Sequence, residues 1–119
     1  MAYKTQQKFR QTFTVPSTSG AYAFERIAFG EVVASQAPMS FEGVTAIVED
    51  SVTSMVVELW LPRVNVAGGA FVDDDYTLYD SLAAATGGET WPLAGYPGAQ
   101  IRVKSGGTGG TATINASAF

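Results

Sequence analysis

Short stretches of alternating apolar and polar residues, each ended by proline or glycine, run through most of this sequence. In the first of them, Phe9, Phe13 and Val15 alternate with polar side chains until Pro16 ends the pattern. A period of two is typical of a strand that buries one face. Proline and glycine return too often for a long helix to form between them. The sequence therefore predicts an all-β chain.

The same reasoning predicts the positions of further strands and of two hairpins. Besides residues 7–15, the predicted strands are 21–34 with a break at Gly30, 41–49, 53–61, a short piece at 70–72, 99–104 and 111–118. Residues 49–51 form a polar connection suited to a hairpin, and the glycine-rich residues 105–110 suit a second one. Asp80 is a candidate cap for at most one short helical turn near residues 80–86. Seven or eight short antiparallel strands predict one compact β-sandwich or jelly roll over residues 1–119.

The charge content limits the partners of the chain. Charged residues make up 15% of the sequence and the net charge is −4, without a basic stripe. A nucleic-acid backbone would be repelled, so no nucleic-acid partner is expected. No apolar run is long enough to span a membrane, and residues 1–20 lack the apolar core of a secretion signal. We expect a soluble protein made in a host cytoplasm. Its charge-poor exterior is either a neutral solvated surface or an interface that is easily desolvated.

Metal and cofactor sites are not expected. The chain has no Cys and no His, which excludes disulfides, thiolate chemistry and the commonest transition-metal ligand. The run Asp73–Asp75 offers oxygen ligands for calcium, but it lacks the spacing of an EF-hand loop. An acidic solvated loop is the favoured interpretation of this run.

The sequence also lacks the residues of a recognisable catalytic site. Acidic pairs such as Glu49 with Asp50, or Glu58 with Glu89, are of the kind that hydrolyse glycosides. No substrate platform accompanies them, and a serine or threonine nucleophile would lack a histidine base. We therefore expect a protein that is not an enzyme.

Residues 93–119, which begin Leu-Ala-Gly-Tyr-Pro-Gly and end Asn-Ala-Ser-Ala-Phe, resemble the endings of small structural proteins of tailed bacteriophages. The whole profile is similar to that of capsid decoration (cement) proteins, which are short, Cys-free, charge-poor β domains. The resemblance implies a virion protein on the capsid surface that binds the major capsid protein, stabilises contacts between its subunits, and forms a homo-oligomer, most often a trimer.

Candidate interface residues follow from the aromatic content and from the chain ends. An extended N-terminal arm (1–7) and a C-terminal tail (116–119) could each reach a neighbouring subunit. The candidates are Tyr3, Phe9, Trp91, Tyr96 and Phe119. Aromatic side chains also suit sugar stacking. The alternative function is therefore a tail-tip or fibre module that recognises carbohydrate through Trp91, Tyr96 and Trp60. For Trp60 a core position is favoured, whereas Trp91, which the sequence places in a loop, suits the core and a site equally.

Overall fold

The computed structural model describes residues 6–30, 40–63, 73–83 and 87–119, which form eight strands and one turn of 3₁₀-helix. The strands are β1 (Gln7–Val15), β2 (Ile27–Phe29), β3 (Phe41–Asp50), β4 (Met55–Pro62), β5 (Tyr76–Ala83), β6 (Gly88–Tyr96), β7 (Ala99–Ser105) and β8 (Gly110–Ala118). The 3₁₀ turn is Asp73–Asp75. The predicted all-β sandwich is thus confirmed, and the predicted short strand at 70–72 lies outside the described residues.

The strands form two four-stranded sheets. Sheet A has the order β1-β8-β3-β6, and sheet B has the order β2-β7-β4-β5. The antiparallel partners β1·β8, β2·β7, β3·β6 and β4·β5 follow one another as in a long ribbon folded over itself. That arrangement is a jelly roll, which the strand pattern alone had left open.

The pairing overturns both predicted hairpins. β3 lies in sheet A and β4 in sheet B, so residues 51–54 cross between the sheets. β7 and β8 are likewise in different sheets, and the glycine-rich connection between them is a crossover. The positions of these strands were predicted correctly, but alternation only shows which side chains point inward. It contains no information on which strand is the neighbour.

The predicted helical turn is wrong for residues 80–83, which belong to β5. Leu82 is 4% exposed and pairs with Val57, so burying one side of an edge strand outweighs the local helix propensity of Ser and Ala. Residues 84–86 lie outside the described residues. No described helix is long and apolar enough to cross a membrane.

The core fills the space between the two sheets. Its largest fully buried side chains are Phe13, Phe29, Phe41, Leu59, Ile101 and Ile114. Phe29 of sheet B lies between Phe9 and Phe41 of sheet A, with ring centroids 5.4 and 6.3 Å away. Because the inward side chains of both sheets are mostly buried in this core, an interaction surface must be formed mainly by outward side chains or by the sheet edges.

Candidate protein-interaction surfaces

The outward side chains of sheet A form a mostly uncharged surface, which we call face A. It consists of Lys8, Arg10, Thr12, Thr14, Gly43, Thr45, Ile47, Glu49, Thr90, Pro92, Thr111, Thr113, Asn115 and Ser117. The hydroxyls pair across strands: Thr45 and Thr90 are 2.8 Å apart at their Oγ atoms, and Thr12 and Thr113 are 3.3 Å apart. Short side chains that bond to one another make fewer hydrogen bonds to water. Removing water from this surface therefore costs little free energy.

An apolar patch lies within face A. Ile47 is 53% exposed, although it belongs to a strand whose other face is core. It borders a groove of about 400 Å³ that also touches Thr45 and Asn115 and reaches Phe9, which is 43% exposed. A single exposed apolar side chain is common, but Ile47 and Phe9 line the same groove in a surface with few charges, and contiguous apolar area of this kind suits a protein partner.

The two opposite charges near the centre of face A neutralise each other. Arg10 donates from Nε to Glu49 Oε1 at 3.1 Å and from its terminal nitrogen to Oε2 at 2.5 Å. Asn115 Nδ2 donates to the same carboxylate at 3.2 Å. The hydrogen bond from Arg10 is the main cause that lowers the pKa of Glu49, and its counterpart raises the pKa of Arg10. Both groups therefore stay ionised as a pair, without adding a net charge to the surface.

The outward side of sheet B, which we call face B, is built differently. Its long polar and aromatic side chains are Tyr22, Glu58, Trp60, Tyr76, Gln100, Arg102 and Lys104. The guanidinium carbon of Arg102 lies 4.0 Å from the centroid of the Trp60 ring, and Arg102 Nε donates to Gln100 Oε1 at 2.6 Å. Trp60 Nε1 donates to Glu58 Oε1 at 3.0 Å. These side chains cover one another.

Burial shows how closed face B is. Glu58, Gln100 and Arg102 are only 4%, 3% and 8% exposed, although all three point away from the core. Tyr22 packs edge-on against Trp60 with ring centroids 6.2 Å apart. Its burial, followed by hydrogen bonding to Glu58, raises the pKa of Tyr22 to about 12. Face B is therefore a second, polar layer of the fold and leaves few groups available to a partner.

The predicted interface residues that the structure describes have different surroundings. Tyr3 lies outside the described residues, and Phe9 is partly exposed at the edge of sheet A. Trp91, predicted in a loop, is instead part of β6 and is 2% exposed. It belongs to the core, and its indole N–H has no hydrogen-bond partner among the described residues. Tyr96 is partly buried at the edge of the core.

The C-terminal residues are part of sheet A rather than an extended tail. Residues 116–118 belong to β8, and the Phe119 carbonyl accepts the N–H groups of Glu42 and Gly43 at 2.6 and 3.1 Å. The Phe119 ring lies over Gly43, where a Cβ atom would come within 2.8 Å of it. Of the predicted N-terminal arm, Gln7 already belongs to β1, and residues 1–5 lie outside the described residues.

The acidic residues considered as catalytic pairs are bonded to other groups or lie apart. Glu49 is held by Arg10, and Glu58 and Glu89 lie in different sheets. Within the described part of the chain, no three His, Cys, Asp or Glu residues are placed to hold a metal ion.

Sequence reasoning missed Ile47 as a surface residue, along with Phe24, Leu78 and Tyr79, which are 93%, 47% and 54% exposed. A signal for Ile47 was present. Val44, Ala46 and Val48 alternate with Thr45, Ile47 and Glu49, so the period of two already placed Ile47 on the polar side of β3.

Comparison with known proteins gives a likeness in shape only. No family model matches the chain, and no curated protein matches it. A solved structure of YomS, a protein derived from the SPBc2 prophage, is 19% identical, covers 99% of this chain and 97% of its own, and has a TM-score of 0.49. The Yersinia pseudotuberculosis-derived mitogen is 9% identical, covers 94% and 84%, and also has a TM-score of 0.49. Neither likeness assigns a function to this chain.

Proposed function

We propose that this chain is a structural protein of a phage particle without catalytic activity. In this proposal it is a capsid decoration protein that acts as a homo-oligomer, as a trimer if the resemblance holds. It binds the outer surface of the shell through face A and stabilises contacts between major capsid subunits. The observation that supports the proposal best is the composition of face A. It carries few charges, two pairs of its hydroxyls and the Arg10–Glu49 pair bond internally, and it exposes an isoleucine where a solvated surface would have a polar residue.

Such a face suits a role that depends on many modest contacts. A partner that covers face A strips few ions of water, so even a small contact area gains free energy from burying Ile47. Repetition of the contact around a symmetric shell multiplies its effect through avidity. The capsid role itself comes from the resemblance of the whole profile to decoration proteins and of residues 93–119 to the endings of small phage structural proteins.

Quantitative mass spectrometry of particles purified from the source tests the assignment first. A ratio to the major shell protein near one, or a simple fraction of one set by symmetry, is expected of a decoration protein. A few copies in each particle would contradict it and favour the tail. Absence from the particle would end the phage proposal.

The variant Ile47→Asp tests the surface. Binding to particles that lack the protein should weaken about tenfold or more, because a carboxylate desolvated without a partner costs well over the ~1.4 kcal/mol that a factor of ten represents. Ala83→Asp places the same charge on an exposed residue at the far end of β5 and serves as the matched control. Unchanged binding by a folded Ile47→Asp variant would exclude face A from the contact.

The carbohydrate-binding alternative loses its main support. Trp91 is buried in the core, and the Trp60 ring is covered by the Arg102 guanidinium. Two of the three proposed stacking platforms are therefore closed to a sugar ring.

A further inference from the structure

Phe24 is 93% exposed, on the turn between Tyr22 and β2. A single exposed apolar side chain is common in soluble proteins and needs no explanation by itself. The turn that presents Phe24, however, is held in place on both sides. The residue before it, Ala23, is buried and its N–H donates to the Val103 carbonyl at 2.9 Å. A fully exposed phenylalanine ring is thus attached to a fixed piece of backbone.

Two charged side chains complete the support of this turn. The Arg26 guanidinium donates to the carbonyls of Ala23 and Glu25, at 3.0 Å for the latter. The Glu25 carboxylate accepts the backbone N–H of Thr14 in β1 at 2.7 Å. Because the turn is already ordered, binding of a partner to Phe24 does not cost the conformational entropy of ordering the turn.

An apolar groove of about 470 Å³ lies at the opposite edge of the sandwich, where β5 and β6 end the two sheets. Its apolar lining is formed by Leu61, Pro62, Leu78, Tyr79, Leu93 and Tyr96. A cavity of roughly 150 Å³ already accepts a benzene ring. The groove therefore has room for a phenyl ring and for the residues beside it.

Phe24 cannot reach the groove of its own chain. Tyr22 bridges to Lys104 of β7 and residues 27–29 pair with β7, so the Phe24 turn runs along the β2 edge of sheet B. The groove borders β5, and β7 and β4 lie in between. Three strand spacings amount to about 14 Å. The ring and the groove therefore lie at opposite edges of one sheet.

We propose that Phe24 of one copy inserts into the β5–β6 groove of the next copy, so that this protein assembles head to tail. Charge complementarity supports a second copy as the occupant. The Phe24 turn carries Glu25 and Arg26, and the groove carries the exposed Arg63 with Asp75 bonded to its backbone N–H, so each side presents one charge of each sign and insertion can bring opposite charges together. Head-to-tail contacts make a closed ring when the rotation between copies closes, and a filament when it does not. The inference deepens the self-association part of the proposed function, and it does not depend on the capsid.

Sedimentation velocity of the purified protein with two complementary variants tests this inference. Wild type should associate as its concentration rises. Phe24→Ser removes the ring, and Leu78→Asp puts a charge into the groove, so each variant alone should be monomeric. In an equimolar mixture, the ring of the Leu78→Asp variant still fits the groove of the Phe24→Ser variant. The mixture should therefore form a 1:1 dimer and nothing larger. Ile47→Asp, changed on face A, should associate as wild type does.

Several results would overturn the inference. Wild type that stays monomeric at all concentrations would leave Phe24 to a different partner, such as a shell protein. A Phe24→Ser variant that assembles like wild type would exclude the ring from the contact. A mixture that stays monomeric would exclude the head-to-tail arrangement. Circular dichroism and thermal melting establish that each variant is folded. Because no particle is present, failure here is distinguishable from failure of the copy-number test.

Discussion

Face A and face B are the outsides of two similar four-stranded sheets, yet they satisfy their polar groups in opposite ways. Face B uses long side chains that lie flat on the sheet, so Glu58, Gln100 and Arg102 are each less than a tenth exposed. Face A uses threonine, serine and asparagine, whose short side chains stand upright and bond across strands. Sheet B is covered by its own outward side chains, whereas the outward side of sheet A is exposed to solvent.

This difference separates stability from recognition. The buried polar network of face B stabilises the fold only while every member keeps its partner, because an unpartnered buried polar group is costly. Apart from Thr113 and Gly43, the residues of face A are at least partly exposed, so most of their polar groups can exchange protein contacts for water at little cost. Substitutions in the buried network of face B should therefore lower the free energy of unfolding, whereas substitutions of the exposed residues of face A should change binding with little effect on stability.

Two arginine substitutions should show the largest contrast. Arg102→Ala should lower the free energy of unfolding by about 2–4 kcal/mol, since it removes a charged hydrogen bond and a stacked cation–π contact. Arg10→Ala should leave it unchanged within error, because its pair with Glu49 is exposed. Urea denaturation of both variants measures the difference.

Arg102→Lys serves as a matched variant for that experiment. Lysine keeps the charge but not the planar group that stacks on Trp60, so its stability should fall between those of wild type and Arg102→Ala. Equal losses for Arg10→Ala and Arg102→Ala would contradict the distinction between the faces.

Residue 43 is a crowded place on face A, because the Phe119 ring lies over Gly43. A Cβ atom at residue 43 would lie 2.8 Å from the ring and 3.1 Å from the Trp91 carbonyl oxygen. Gly43→Ala should therefore cost about 1–2 kcal/mol of stability, as overpacking usually does. The double variant with Phe119→Ala should lose less than the sum of the single losses, measured by the same denaturation. A strictly additive pair would show that the ring is not the obstacle.

How much of this could be predicted from sequence depends on the range of the interaction. The bounds of β1 and the inward residues of β8 follow from alternation, since each strand buries one face against the core. The partner of each strand does not follow from it. β7 and β8 are neighbours in sequence and belong to different sheets, because a jelly roll closes by pairing its first strand with its last.

The surfaces show the same limit. The alternation of apolar and polar residues in β3 was enough to assign Ile47 to its outer side. The burial of the polar side chains on face B instead depends on Glu58 of β4 lying opposite Arg102 of β7. Those residues are 44 positions apart, since 102 − 58 = 44, and no local pattern links them. Trp91 was expected in a loop, yet it belongs to β6, an edge strand in which Pro92 is tolerated.

The smallest expected effect is a pH dependence confined to face B. Burial and Glu58 raise the pKa of Tyr22 from 10.0 to about 12, so the fold favours the neutral hydroxyl. A group whose pKa is higher in the folded state contributes stability that is complete below its unfolded value and is lost as the pH rises through its folded value. Wild type should therefore lose stability between pH 10 and 12 more steeply than Tyr22→Phe, which has no proton to lose. Denaturation across that range, with tyrosinate absorbance as the second readout, measures both effects. Equal slopes for the two proteins would mean that the Tyr22 hydroxyl is as well hydrated as a surface group, and that face B is open to water on its β7 side.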